Sequence, residues 1–78
     1  SKVCMMEKTK IGSNAGKVWR ILNEKGEQSM FDLCRELSLT FEDVALAIGW
    51  LAREDKIFLR KREGMLFASI ENVEFTFG

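Results

Sequence analysis

The chain has 78 residues, with 12 Lys and Arg balanced by 12 Asp and Glu and no histidine, so no global field draws it onto nucleic acid or anionic lipid. No apolar run approaches a membrane span, the N-terminus is too polar for a signal peptide, and Cys4 and Cys34 lie far apart with no CxxC spacing, which excludes the usual zinc frameworks and argues against a structural disulfide. A single small cytoplasmic domain is expected, of a size at which a second subunit often supplements the core, so a homodimer is expected too.

Residues 1–10 read as a loosely ordered N-terminal stretch, and the folded domain is expected over 11–78. Ser13 or Asn14 can cap a first helix whose buried face is Ala15, Val18, Ile21 and Leu22, and Gly26 closes it in the left-handed conformation. Glu27 to Met30 reads as a short extended connection. Ser29 with Asp32 resembles a capping box and opens a second helix over Met30 to Leu37; Thr40 with Asp43 repeats the signal and opens a third over Phe41 to Asp55. Only Ser38 and Leu39 remain for the turn between the second helix and the Thr40 cap, so the two helices must cross. Cys34 is small enough to let them approach and reads as a core residue. Leu33, Leu37, Leu39, Val44, Ile48, Leu51 and Ile57 are the expected core of a helix-turn-helix and the strand after it.

From Lys56 the apolar period changes from helical to two. Ile57 and Leu59 alternate with Phe58 and Arg60, Lys61 to Gly64 makes a turn, and Met65 to Ile70 returns as the second strand of a hairpin wing. Val73, Phe75 and Phe77 share one face of a further extended segment, expected as a third C-terminal strand or a strand given to a partner. The fold class is therefore α+β: a winged helix-turn-helix of three helices and a β-hairpin wing.

The runs IGSNAGKVWRIL and DVALAIGWLAREDKI resemble a family of small bacterial winged helix-turn-helix proteins classed as a domain of unknown function. The resemblance covers about Ile11 to Phe67, and its most specific stretch is Ala47 to Glu54. It implies the winged-helix fold and a bacterial, cytoplasmic origin, and it brings no catalytic motif. The wider superfamily is dominated by transcription regulators, a role that transfers by fold analogy alone.

The third helix is the element that enters the major groove in such folds. With Val44, Ile48 and Leu51 turned inward, its outer face presents Glu42, Leu46, Gly49, Trp50 and Arg53. Between Thr40 and Asp55 the single basic residue Arg53 stands against Glu42, Asp43, Glu54 and Asp55. Base edges are read mostly by Arg, Lys, Asn and Gln, and phosphates repel carboxylates, so this helix is poorly suited to specific readout. The same acids in the first turn also complement the helix dipole. Positive charge collects instead on the wing, at Lys56, Arg60, Lys61 and Arg62, and on the first helix, at Lys17, Arg20 and Lys25. Such a cluster suits contact with the DNA backbone, and it equally suits a solvated turn.

Leu46 and Trp50, one turn apart, read either as a protein contact or as a stray leucine beside a tryptophan folded against the wing. Trp19 reads as packing around the first helix. Gly12 to Val18 mimics a phosphate-binding loop but has three residues between its glycines and valine after the lysine, where the motif needs four and then Ser or Thr. With no catalytic constellation, no cofactor and no small-molecule substrate are expected, and the chain does not read as an enzyme. Two functions remain. One is a regulator that binds DNA weakly and independently of sequence through Arg60, Lys61, Arg62, Lys17, Arg20 and Arg53. The other is a protein-interaction or assembly module using Leu46 and Trp50, or Val73, Phe75 and Phe77.

Overall fold

The computed structural model describes residues 2–71. Its elements are α1 (Lys2–Lys25), β1 (Gln28–Ser29), α2 (Met30–Leu37), α3 (Phe41–Arg53), β2 (Phe58–Arg62) and β3 (Met65–Ser69). The strands form one antiparallel sheet in the order β1-β3-β2. The three helices and the β2–β3 hairpin are the winged-helix arrangement expected from the sequence, and the third strand of the sheet is β1.

The first departure is at the N-terminus. The stretch expected to be loose is helical from Lys2, and Ser13 and Asn14 lie inside α1 instead of capping it. Asn14 is buried on the core-facing side of the helix. Nothing in the preceding residues breaks a helix, since the chain has no proline, and Lys10 ties this part of α1 to the first turn of α3 through an ion pair with Asp43 at 3.5 Å. Gly26 stops the helix as expected, at φ +83°, with its N–H donating to the Leu22 carbonyl at 2.9 Å.

Both capping signals hold. The Asp32 N–H donates to Ser29 Oγ at 3.1 Å while the Ser29 N–H donates to Asp32 Oδ2 at 3.3 Å, which completes the capping box of α2. The Asp43 N–H donates to Thr40 Oγ1 at 3.1 Å and opens α3. Between them Ser38 takes the left-handed conformation at φ 53°, so two residues suffice to turn the chain. At its far end α3 stops at Arg53, two residues short of the expected boundary. Asp55 is left-handed there, and the N–H groups of Asp55 and Lys56 return to the carbonyls of Ala52 and Leu51, a Schellman closure that satisfies the last carbonyls.

The wing turns on Glu63 and Gly64, both at positive φ, the combination whose twist matches that of antiparallel strands. The sheet's third strand is the short β1, which reads from sequence as a mere connection: Gln28 pairs with Ala68 and Ser29 with Phe67. Two residues carry no period of their own, so only the partner strand identifies them. Val73, Phe75 and Phe77 lie outside the described residues.

The core gathers Ala15, Val18 and Leu22 of α1, Met30 and Leu33 of α2, Val44, Ala47, Ile48 and Leu51 of α3, then Ile57 and Ala68. Cys34, Leu37 and Leu39 pack against it, partly buried. This core rotates α3 so that one stripe faces inward and the other remains for function.

Candidate interaction surfaces of the third helix and the wing

The outer face of α3 falls where the spacing places it. Glu42, Leu46, Gly49, Trp50 and Arg53 are exposed, while Val44, Ala47, Ile48 and Leu51 are buried. The first turn carries Glu42 and Asp43, so the end of the helix that would meet base edges presents carboxylates. Leu46 and Trp50 are 46% and 45% exposed, enough to make an apolar step on a face that phosphate contact would leave polar.

On the wing, strand alternation sorts the basic residues. Register pairs Leu59 with Ala68 and Lys61 with Leu66, which sets those side chains on the sheet face turned to the core; Phe58, Arg60 and Arg62 take the opposite face. Arg60 does not project freely. Its Nε donates to Glu27 Oε2 at 2.7 Å and its Nη2 to Glu27 Oε1 at 3.0 Å, a two-pronged pair that reaches across β3 to the residue preceding β1. Arg62 lies over the Phe67 ring, 4.4 Å from its centroid, while remaining exposed. Lys61 is exposed at the rim of a cleft of about 590 Å³ between the wing and the starts of α2 and α3, lined by Phe31, Phe41, Ala45 and Leu66 among others. Lys17 and Arg20 are exposed on α1 and Arg53 at the end of α3, so the basic residues expected to act together are spread over three elements.

Trp50 sits elsewhere than against the wing hairpin. It lines a groove between α1 and α3, with Gly12, Ala15, Gly16 and Trp19 on the α1 side, because its position on α3 turns it toward α1. Sequence reading also misses Phe31 and Phe41, exposed at 62% and 58% on first helical turns, and the role of Glu27. Glu27 stands 33 residues from its arginine, and no local pattern links the two.

Hydrogen bonding to the Arg60 guanidinium holds the Glu27 carboxyl below the usual carboxylate range, against a smaller opposing effect of burial. A carboxyl depressed in the folded state contributes stability above its unfolded value and loses it as pH falls through the folded value. Below about pH 4.5 the protein should therefore lose part of its stability, and Glu27→Gln should remove that part of the acid limb while lowering stability at neutral pH by about 1 kcal/mol. Urea melts at several pH values check this. An acid limb identical in the wild type and Glu27→Gln would show that the pair contributes nothing.

Among the described residues no helix is long and apolar enough to cross a membrane. The family model of the winged helix-turn-helix domain DUF2582 matches residues 6–70. The uncharacterized protein MJ1608 of Methanocaldococcus jannaschii is 47% identical over 55 residues, which cover 67% of this chain and 77% of that protein. The solution NMR structure of protein BT2368 from Bacteroides thetaiotaomicron superposes with a TM-score of 0.76 at 42% identity, covering 92% of this chain and 89% of that one.

Proposed function

Because the chain belongs to the DUF2582 family of winged helix-turn-helix domains, we propose that it is a non-enzymatic regulatory module whose DNA contact is weak, directed at the backbone and made by the wing. The observation that carries this reading is the exposed pair Lys61 and Arg62 beside the wing turn, set against a third helix that begins with Glu42 and Asp43. Cations on a projecting hairpin meet phosphates without reading bases. Lys17, Arg20 and Arg53 add positive charge on neighbouring elements, whereas Arg60 is engaged with Glu27 and serves the sheet.

A salt-dependent titration with two unrelated duplexes tests the proposal. Binding should be similar for both duplexes, and Lys61→Ala with Arg62→Ala should weaken it and flatten the slope of log affinity against log salt by about 0.9 for each phosphate no longer neutralised. Strong discrimination between the duplexes at physiological salt would sink the reading, because it would require base readout by α3.

A second reading is favoured by the exposure of Leu46 and Trp50: the outer face of α3 joins copies of the chain or a partner protein. A homodimer made this way should dissociate with Leu46→Asp, which leaves the core untouched. Sedimentation of both forms checks it, and an unchanged sedimentation coefficient removes this face from the interface.

A further inference from the structure

The cleft under the wing takes its walls from three elements. Met30 and Phe31 open α2, Phe41 and Ala45 lie in the first turns of α3, and Lys61 and Leu66 come from the hairpin; the space they line is about 590 Å³. Met30 is buried in the core cluster whereas Phe31 and Phe41 are exposed, so the cleft runs from two open phenyl rings down to the core. One exposed apolar side chain needs no account. Two phenylalanines on one concavity, with alanine and leucine beside them, make an apolar patch that marks a contact site.

Lys61 is the single charged residue of this lining among the described residues. Alternation along β2 and its pairing opposite Leu66 set its side chain on the sheet face turned to the helices, a position at which the strand pattern calls for an apolar residue. Its stem suits an apolar wall while the ammonium stays at the wet rim. Among the described residues the ion pairs are made by Lys10, Lys25, Arg35 and Arg60, and none of them involves Lys61. Its neighbours on the opposite face are engaged, Arg60 by Glu27 and Arg62 by the Phe67 ring. The cleft thus joins an apolar surface to one positive charge that the described body does not balance.

We propose that this cleft binds a small apolar carboxylate, an aryl or medium-chain acid whose body lies against Phe31, Phe41 and Leu66 while its carboxylate pairs with Lys61. The volume lies within the range of small-molecule sites, about 300–1,000 Å³, and such sites join an apolar lining to a few placed polar groups. Lysine offers a point charge on a flexible stem, which suits a monoanion and demands no fixed fork geometry. Lys61 is also one of the two wing cations assigned to phosphate, and an ammonium held by a carboxylate is not available to DNA. Occupation of the cleft therefore weakens DNA contact, a consequence that alone rests on the DNA reading above.

Amide shifts of the isotope-labelled full chain, titrated with hydrocinnamate, test the site. Saturable shifts should centre on Phe31, Phe41, Lys61 and Leu66, with half-saturation near about 1 mM for a probe this small. Hydrocinnamyl alcohol, which has the same body without the charge, should bind several-fold more weakly, and acetate, which has the charge without the body, should give no saturable shift. Lys61→Met keeps the stem and removes the charge, so it should weaken hydrocinnamate several-fold and leave the alcohol unchanged. Ala45→Phe, at an exposed position, fills the cleft and should abolish the binding of both. Shifts that do not saturate, equal affinity for acid and alcohol, or indifference to Lys61→Met or to Ala45→Phe in a protein whose spectrum remains folded would each overturn the proposal. Cleft amides that move with protein concentration in the absence of probe would give the cleft to a second copy and overturn it too. So would a blocked dipeptide with the same ring and carboxylate that binds more than about tenfold more tightly, since it would point to a partner chain. These arms contain no DNA. Duplex binding unchanged by saturating hydrocinnamate would overturn the coupling, whereas no duplex binding at all would overturn the DNA reading instead.

Discussion

Ile48→Ala should lower the stability of this domain by about 2–5 kcal/mol, while Leu46→Ala, on the same helix, should stay within about 0.5 kcal/mol. Ile48 is 3% exposed and belongs to the cluster that joins α1, α2 and α3, so truncation leaves a cavity that its neighbours cannot all collapse to fill. Leu46 is 46% exposed, and its truncation mainly removes contact with water. A domain of this size has a total stability of only about 5–10 kcal/mol, so the first variant should show a large loss in urea midpoint and the second almost none. Equal losses would mean that α3 is rotated about its axis from this orientation. A different set of side chains would then face the major groove.

Trp50→Ala should cost about 2 kcal/mol, between those extremes. A fully buried tryptophan loses about 3–5 kcal/mol on truncation to alanine, and Trp50 is 45% exposed where it lines the groove between α3 and α1. The loss should be shared with α1: Trp19→Ala and Trp50→Ala should not add, because both rings line the same groove. Urea denaturation of the two single variants and the double variant measures the coupling. Strict additivity would mean that the rings act separately. A loss at Trp50 below about 0.5 kcal/mol would mark it as a purely solvent-facing residue, and would leave association as its role.

Each feature is legible in the sequence to the extent that the interaction fixing it is short in range. Ser29 with Asp32 and Thr40 with Asp43 announce helix starts because the cap is made within three residues of chain, and both hydrogen bonds form as the spacing requires. The inward stripe of α3 follows from helical periodicity, and Val44, Ile48 and Leu51 are all buried. The Glu63-Gly64 turn is likewise local. The start of α1 is misleading in the sequence because Gly12, Ser13 and Asn14 carry the chemistry of a helix terminus, and tertiary contacts override it: Asn14 packs inward and Lys10 reaches Asp43. Asp55 reads as part of α3 because its charge pattern continues the helix, whereas the left-handed closure with Lys56 ends it.

The candidate site divides along the same line. The basic character of the wing, the acidic start of α3 and the apolar pair Leu46 and Trp50 are properties of composition and period, and they are legible in one dimension. Which of those cations remains available is not. Arg60 and Lys61 are neighbours of like charge in sequence, yet alternation along β2 sends them to opposite faces of the sheet, and only one of them finds Glu27 across β3. Trp50 and Trp19 line one groove because of the angle at which α1 and α3 pack, and no spacing encodes that angle. By itself, then, the sequence determined the helix caps, the core stripe, the hairpin and the balance of charge, because each of these is set by contacts a few residues apart. Tertiary structure alone decided the third strand Gln28–Ser29, the pairing of Arg60 with Glu27 and the groove between the two tryptophans, because each depends on segments brought together only when the core closes.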